Sequence, residues 1–187
     1  QHVDLLNNLQ GDLRRLDVEA GSNRLDSIVS SVMNNDEIFE GIDAVLVQGD
    51  TTSVLAVALA AFHRKIKVIH LEAGLRTYNK DHPYPEEFNR RVVSCMADIN
   101  LCPTQESVSN LQKEKAPGRT HLVGNTVLDN LIHIQPEYKN HVVVTMHRRE
   151  NHHLLPQWFS EIDKLAQENP ELEFIWNMVF KHLADSP

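Results

Sequence analysis

The chain has 187 residues, 41% hydrophobic and 24% charged, which is ordinary for a globular protein with a real core. Its 18 basic and 26 acidic residues leave a net charge of −8, which argues against general nucleic-acid affinity, since that needs a basic stripe. A diphosphate is not excluded, because a few arginines and helix N-termini can bind one locally. No apolar run has membrane-spanning length, so no membrane partner is expected.

Taken in chain order, the pattern alternates. "LDSIVSSVMNNDEIFEG" places Leu25, Ile28, Val29 and Val32 on one face and predicts a helix. "DAVLVQG" is a short apolar run ending in glycine, the mark of a buried strand. "TTSVLAVALAAFHRK" is rich in alanine and leucine and ends in basic residues, a helix laid on a sheet. "KVIHLEAG" is the next strand, and "PEEFNRRVVSCMA" opens with proline and two acids, a helix start. "INLCPT", "QESVSNLQKEK", "THLVG" and "NTVLDNLI" continue as strand, helix, strand and short helix. Ile134 to Asn140 reads as a linker, after which "HVVVTMH", "PQWFSEIDKLAQEN" and "LEFIWNMVF" begin a new strand–helix–strand series.

Strands alternating with helices predict an α/β fold with a doubly wound parallel sheet, covered on both faces. We place one such domain at residues 1–135 and the start of a second at 141–187. The opening "QHVDLLNNL", without methionine, and the stop at "KHLADSP" read as the ends of a piece of a longer polypeptide, or of a chain with parts missing. Cys95 and Cys102 lack metal-ligand spacing and point to a reduced, cytoplasmic compartment; no metal site is expected.

Ligands of such sheets bind beyond the carboxyl ends of the strands, so the residues that follow each strand are the candidates. The first strand delivers Gly49, Asp50, Thr51 and Thr52, and the second delivers Glu72, Ala73 and Gly74. Asp50 reads equally as an N-cap of the following helix, and Glu72 equally as a surface acid in a turn. Glu86 and Arg90 stand four apart on one helix, a spacing that also suits a solvated ion pair. After "HLEAGLRTYNKD", however, "HPYPEEFNRR" becomes a loop that returns Glu86 and Arg90 towards Glu72. Crowded acids raise one another's pKa, so one can hold a proton while another acts as base. Arg90 and His147 suit the charge of a diphosphate, although "MHRRE", which carries His147, reads also as a solvated turn. No GxGxxG fingerprint and no Walker-type loop is present, which counts against a dinucleotide and against ATP.

As a set, "VLVQGDTTS", "HLEAGLRT", "PYPEEFNRR", "CPT", "VGNTVLD" and "VVVTMHRREN" resemble the non-hydrolysing UDP-N-acetylglucosamine 2-epimerases, in that family's order and spacing. The resemblance implies two Rossmann-like domains facing each other in a GT-B-type architecture, with the second incomplete here. It implies interconversion of UDP-GlcNAc and UDP-ManNAc by elimination of UDP and its re-addition, with no cofactor and no metal, for surface polysaccharide supply. Asp50, Glu72 and Glu86 match the family's acid/base positions; Arg90 and His147 match its remaining catalytic or phosphate-contacting positions. Gln1 and His2 resemble the stretch where bacterial members bind an activating second UDP-GlcNAc. The expected partners are a UDP-sugar and, for the full-length protein, a second copy in a homodimer.

The sequence also departs from the family. Its first strand and glycine- and arginine-bearing loop are absent before Gln1, "NMVFKHLADSP" replaces a "PMHPNP"-like run, and the Asp-Ser-Gly-Gly segment that cradles the nucleotide is missing. Binding energy from the nucleotide helps orient the sugar, so the isolated chain is expected to be inactive and its exposed interdomain face prone to aggregation. Three alternatives stay open: a hydrolysing 2-epimerase releasing ManNAc and UDP, a GT-B glycosyltransferase, and a non-catalytic sugar-nucleotide-binding module.

Overall fold

The computed structural model describes residues 16–18, 21–145 and 153–177. They form two compact units, divided between Ile132 and His133.

In the first unit, helix α1 (Arg24–Met33) starts where the Asn23 side chain accepts hydrogen bonds from the Leu25 and Asp26 amides. This is the usual way to satisfy orphan N–H groups at a helix start. A single 3-10 turn, Glu37–Phe39, separates it from strand β1 (Ala44–Gln48). Helix α2 (Thr52–His63), strand β2 (Lys67–Leu71), helix α3 (Glu86–Met96), strand β3 (Ile99–Cys102), helix α4 (Gln105–Glu114) and strand β4 (Arg119–Leu122) follow. A second 3-10 turn, Thr126–Asn130, comes after β4.

The four strands are all parallel and pair in chain order, β1-β2-β3-β4. Right-handed crossovers that always step the same way lay every connecting helix on the same face. Accordingly α1, α2 and α3 pack with Val45, Val47 and Val68, and α4 packs with Cys102. Alanines make the close approach of α2 feasible: Ala56, Ala58, Ala60 and Ala61 are fully buried. The alternation expected of a parallel α/β sheet is therefore what the structure shows; of the two helical layers of a doubly wound sheet, the described residues build one. On the opposite face of edge strand β1, Leu46 is 63% exposed, so the strand is less buried than its apolar run implied.

The second unit pairs β5 (His141–Thr145) with β6 (Glu173–Asn177), again parallel, through helix α5 (Leu155–Glu168). Phe159 of α5 packs against Trp176 with ring centroids 4.9 Å apart. His141 and Glu173 are paired across the strands at 2.8 Å. No described helix is long and apolar enough to cross a membrane. Cys95 is exposed, Cys102 is buried, and both are free thiols.

Candidate active site at the carboxyl ends of β1 and β2

The chain leaves β1 through Gly49, whose φ of +80° is costly for a residue with a side chain. Asp50 follows. It does not cap α2: the Thr51 hydroxyl takes that duty, accepting from the Val54 amide at 3.3 Å. The Asp50 carboxylate instead faces Arg90, with Oδ2 3.0 Å from Nη2. Two buried side chains from different elements hold the backbone of the turn. His70 Nε2 of β2 donates to the Gly49 carbonyl at 2.8 Å, and Asn89 Nδ2 of α3 donates to the Asp50 carbonyl at 2.9 Å. Because a carbonyl only accepts, this bond puts the neutral ring's proton on Nε2.

Glu72 is the first residue beyond β2 and has a left-handed backbone, φ +66°. Non-glycine residues seldom adopt that conformation, and functional turns are one place where they do. Its side chain lies over the neighbouring strand end: a Cβ placed on Gly49 would be 3.7 Å from Glu72 Oε2. Gly74 then lets the chain pass close to α4, since a Cβ there would stand 2.4 Å from the Ser107 carbonyl oxygen. The loop returns through Tyr78 and two cis prolines, Pro83 and Pro85, to Glu86, the first residue of α3.

Glu86 is half-buried, and its charge acts on Asp50. The helical Glu86–Arg90 ion pair that the spacing offered does not form. Arg90 Nε instead donates to the Glu86 backbone carbonyl at 3.4 Å and lies 3.6 Å from Glu87 Oε2, while Nη2 takes Asp50. Burial pushes the Asp50 carboxyl above its ordinary value; Arg90 pulls it down, and Glu86 and Glu87 push it up again. Asp50, Glu72, Glu86 and Arg90 are thus brought together at adjoining strand ends. Gln1, His2 and His147 lie outside the described residues. No group of three or more His, Cys, Asp or Glu side chains among the described residues could hold a metal ion.

The model of the UDP-N-acetylglucosamine 2-epimerase family matches residues 8–185. The chain belongs to that family. It is 39% identical over 171 residues to the UDP-N-acetylglucosamine 2-epimerase of Neisseria meningitidis, covering 80% of this chain and 45% of the relative. With the enzyme of the same name from Campylobacter jejuni it shares 38% over 160 residues, 71% of this chain and 41% of the relative. Among solved structures, UDP-GlcNAc 2-epimerase from Neisseria meningitidis bound to UDP-GlcNAc superposes with a TM-score of 0.72 at 35% identity, covering 84% of this chain and 48% of that one. The chain therefore spans less than half the length of these relatives. The neighbours' GT-B-type architecture is the one to which the parallel sheet of this epimerase-family chain corresponds.

Sequence reasoning passed over the side chains that support the four site groups. Glu87, Asn89 and Ser94 are buried on α3, as is the site residue Arg90 itself. Their signal was present: Glu87, Arg90 and Ser94 recur at helical spacing on the stripe that also carries Val93. Polar residues on a core-facing stripe must have buried partners. Arg76 was likewise missed. Its side chain is fully buried and grips Glu114 with Nε and Nη2, at 2.7 to 3.1 Å, and the Ser94 hydroxyl at 3.0 Å. That grip ties the loop after Glu72 to both α3 and α4. No local pattern joins residues so far apart in the chain.

Proposed function

We propose that this chain supplies the acid–base groups for epimerisation of UDP-GlcNAc at C2, giving UDP-ManNAc. The observation that carries the reading is the Asp50–Arg90 pair at the end of β1, with Glu72 and Glu86 close to it, in a chain of this family. Two structural neighbours, the UDP-GlcNAc 2-epimerases from Neisseria meningitidis and Methanocaldococcus jannaschii, hold UDP-GlcNAc, which supports a UDP-sugar as substrate.

The chemistry balances without an oxidant or reductant. A carboxylate takes the C2 proton, the C2–H electron pair becomes the C1=C2 bond, and the C1–O bond breaks to release UDP. A protonated acid then returns a proton to the other face of C2 while a UDP oxygen re-forms the bond to C1. One base and one acid must coexist at one pH, which is what unequal carboxyl environments provide. Asp50, Glu72 and Glu86 are proposed to share the two roles, in unlike settings: Asp50 is part-buried against Arg90, Glu86 is half-buried and Glu72 is exposed. Arg90 opposes the charge that develops on the leaving diphosphate. His147, carried over from the family resemblance, is proposed to share that task. Gln1 and His2 are proposed as part of an activating UDP-GlcNAc site, and the full-length protein as a homodimer supplying surface polysaccharide synthesis.

Incubating the full-length protein with UDP-GlcNAc in deuterated water tests the reading. UDP-ManNAc deuterated at C2 is the expected product. Accumulating free ManNAc and UDP would assign hydrolysis instead, and no exchange at C2 would refute both.

A further inference from the structure

Glu87 has no solvent exposure, and a carboxylate so removed from water costs several kcal/mol unless it is paired and hydrogen-bonded. Its partners come from two directions. The Thr77 amide donates to Oε2 at 3.0 Å and the Tyr78 amide to Oε1 at 2.9 Å; Arg90 Nε lies 3.6 Å from Oε2. The far end of the same guanidinium meets Asp50, so the turn at 77–78, Glu87, Arg90 and Asp50 form one chain of contacts. The turn needs an anchor, because Tyr78 is itself in the left-handed region at φ +58°. Its hydroxyl donates to Asn110 Oδ1 at 3.0 Å, which fastens the other side to α4. This turn lies on the loop between Glu72 and Glu86, so whatever anchors it also limits how those two acids move relative to each other.

We propose that Glu87 is a positioning residue: as a buried anion it shares Arg90 with Asp50 and fastens the 77–78 turn to helix α3, so that a residue the substrate does not touch governs how Arg90 and Asp50 face each other. The proposal rests on the reading of Asp50 and Arg90 as site groups. Two anions on one cation leave each less firmly held than either would be alone. The charged and titratable groups around Asp50 are Arg90, Glu86 and Glu87 from α3, Glu72 from the end of β2, and His70 on the Gly49 carbonyl. Of these, Glu86 and Glu87 oppose ionisation of Asp50, and Arg90 favours it. Removing the charge of Glu87 deletes one opposing anion and leaves Arg90 to Asp50 alone. Both changes act in the same direction.

The test follows the Asp50 carboxyl carbon by NMR through a pH titration of the full-length protein, in wild type and Glu87→Gln. The Asp50 midpoint should move to lower pH in the variant, and further than in Tyr78→Phe, which frees the turn from Asn110 and keeps the Glu87 charge; an equal shift in the two variants overturns the proposal. Amide exchange at Thr77 and Tyr78 should accelerate about tenfold or more as the turn loses its anchor. An Asp50 midpoint that stays in place or rises overturns the proposal. Should Glu87→Gln fail to fold, wild-type exchange decides: protected Thr77 and Tyr78 amides support the anchor, and amides exchanging as freely as an unstructured peptide overturn it. Neither readout needs turnover. A wild type without C2 exchange, combined with the expected midpoint shift, refutes the proposed function and leaves the role of Glu87 in setting Arg90 and Asp50 intact; normal C2 exchange with an unmoved midpoint does the reverse.

Discussion

The Arg76–Glu114 contact is the strongest candidate for a single interaction that holds the site loop in place. The Arg76 side chain is fully buried and that of Glu114 is 23% exposed. Three N–H···O contacts of 2.9, 3.1 and 2.7 Å join them in a forked geometry. Glu114→Gln keeps the shape and one acceptor but removes the charge. Breaking a fully buried pair costs about 3–5 kcal/mol, and water reaching position 114 reduces this to about 2 kcal/mol, within the range for charge-assisted hydrogen bonds. The assay is native-state amide exchange of β2 and β3, which reports the opening of this unit alone. A loss of about 2 kcal/mol accelerates exchange ~30-fold at neutral pH. The effect carries its own pH signature. The Arg76 hydrogen bonds hold the Glu114 carboxyl below its ordinary value of 4.5, so the stabilisation is present above that pH and is lost as pH falls through the lowered value. Wild type and variant should therefore converge in acid. Acceleration below about threefold at neutral pH would show that the contact behaves as a surface pair, and a difference that persists unchanged in acid would show that the Glu114 charge is not what stabilises the loop.

Asp50→Asn, Glu72→Gln and Glu86→Gln, introduced one at a time in the full-length protein, should each lower C2 exchange by about a hundredfold or more while leaving the circular dichroism spectrum unchanged. Near-normal rates in all three would remove these acids from the mechanism. Gly74→Ala should cost about 3 kcal/mol or more in unfolding free energy, because it adds left-handed strain at φ +87° and a Cβ 2.4 Å from the Ser107 carbonyl oxygen; a loss below about 1 kcal/mol in denaturant titration would contradict that close approach. Burial holds the His70 ring below its ordinary value of 6.5, so its neutral form is the one the fold prefers. Stability from this group is complete above 6.5 and falls as pH drops below it. Unfolding free energy measured against pH should show that fall in wild type and not in His70→Gln.

Much of the architecture was written locally. The runs ending in Gly49 and Gly74, the threonines that cap α2 and α4, and the Pro-Glu-Glu start of α3 announce strands, helices and their order without reference to distant residues. A parallel sheet then places the residues after each strand along one edge, which is why Asp50 and Glu72 were legible as candidates. Their neighbours were not. Spacing paired Arg90 with Glu86 along a helix, whereas the fold turns it to Asp50 and Glu87. Asp50 read equally as a cap until Thr51 was seen to take that place. Helical and strand periods are short-range properties of a chain, so composition and spacing determined which elements form and in what sequence. Which buried charge meets which depends on the packing of α3 against the ends of β1 and β2, and the cost of an unpaired buried ion leaves the partners little freedom once that packing exists.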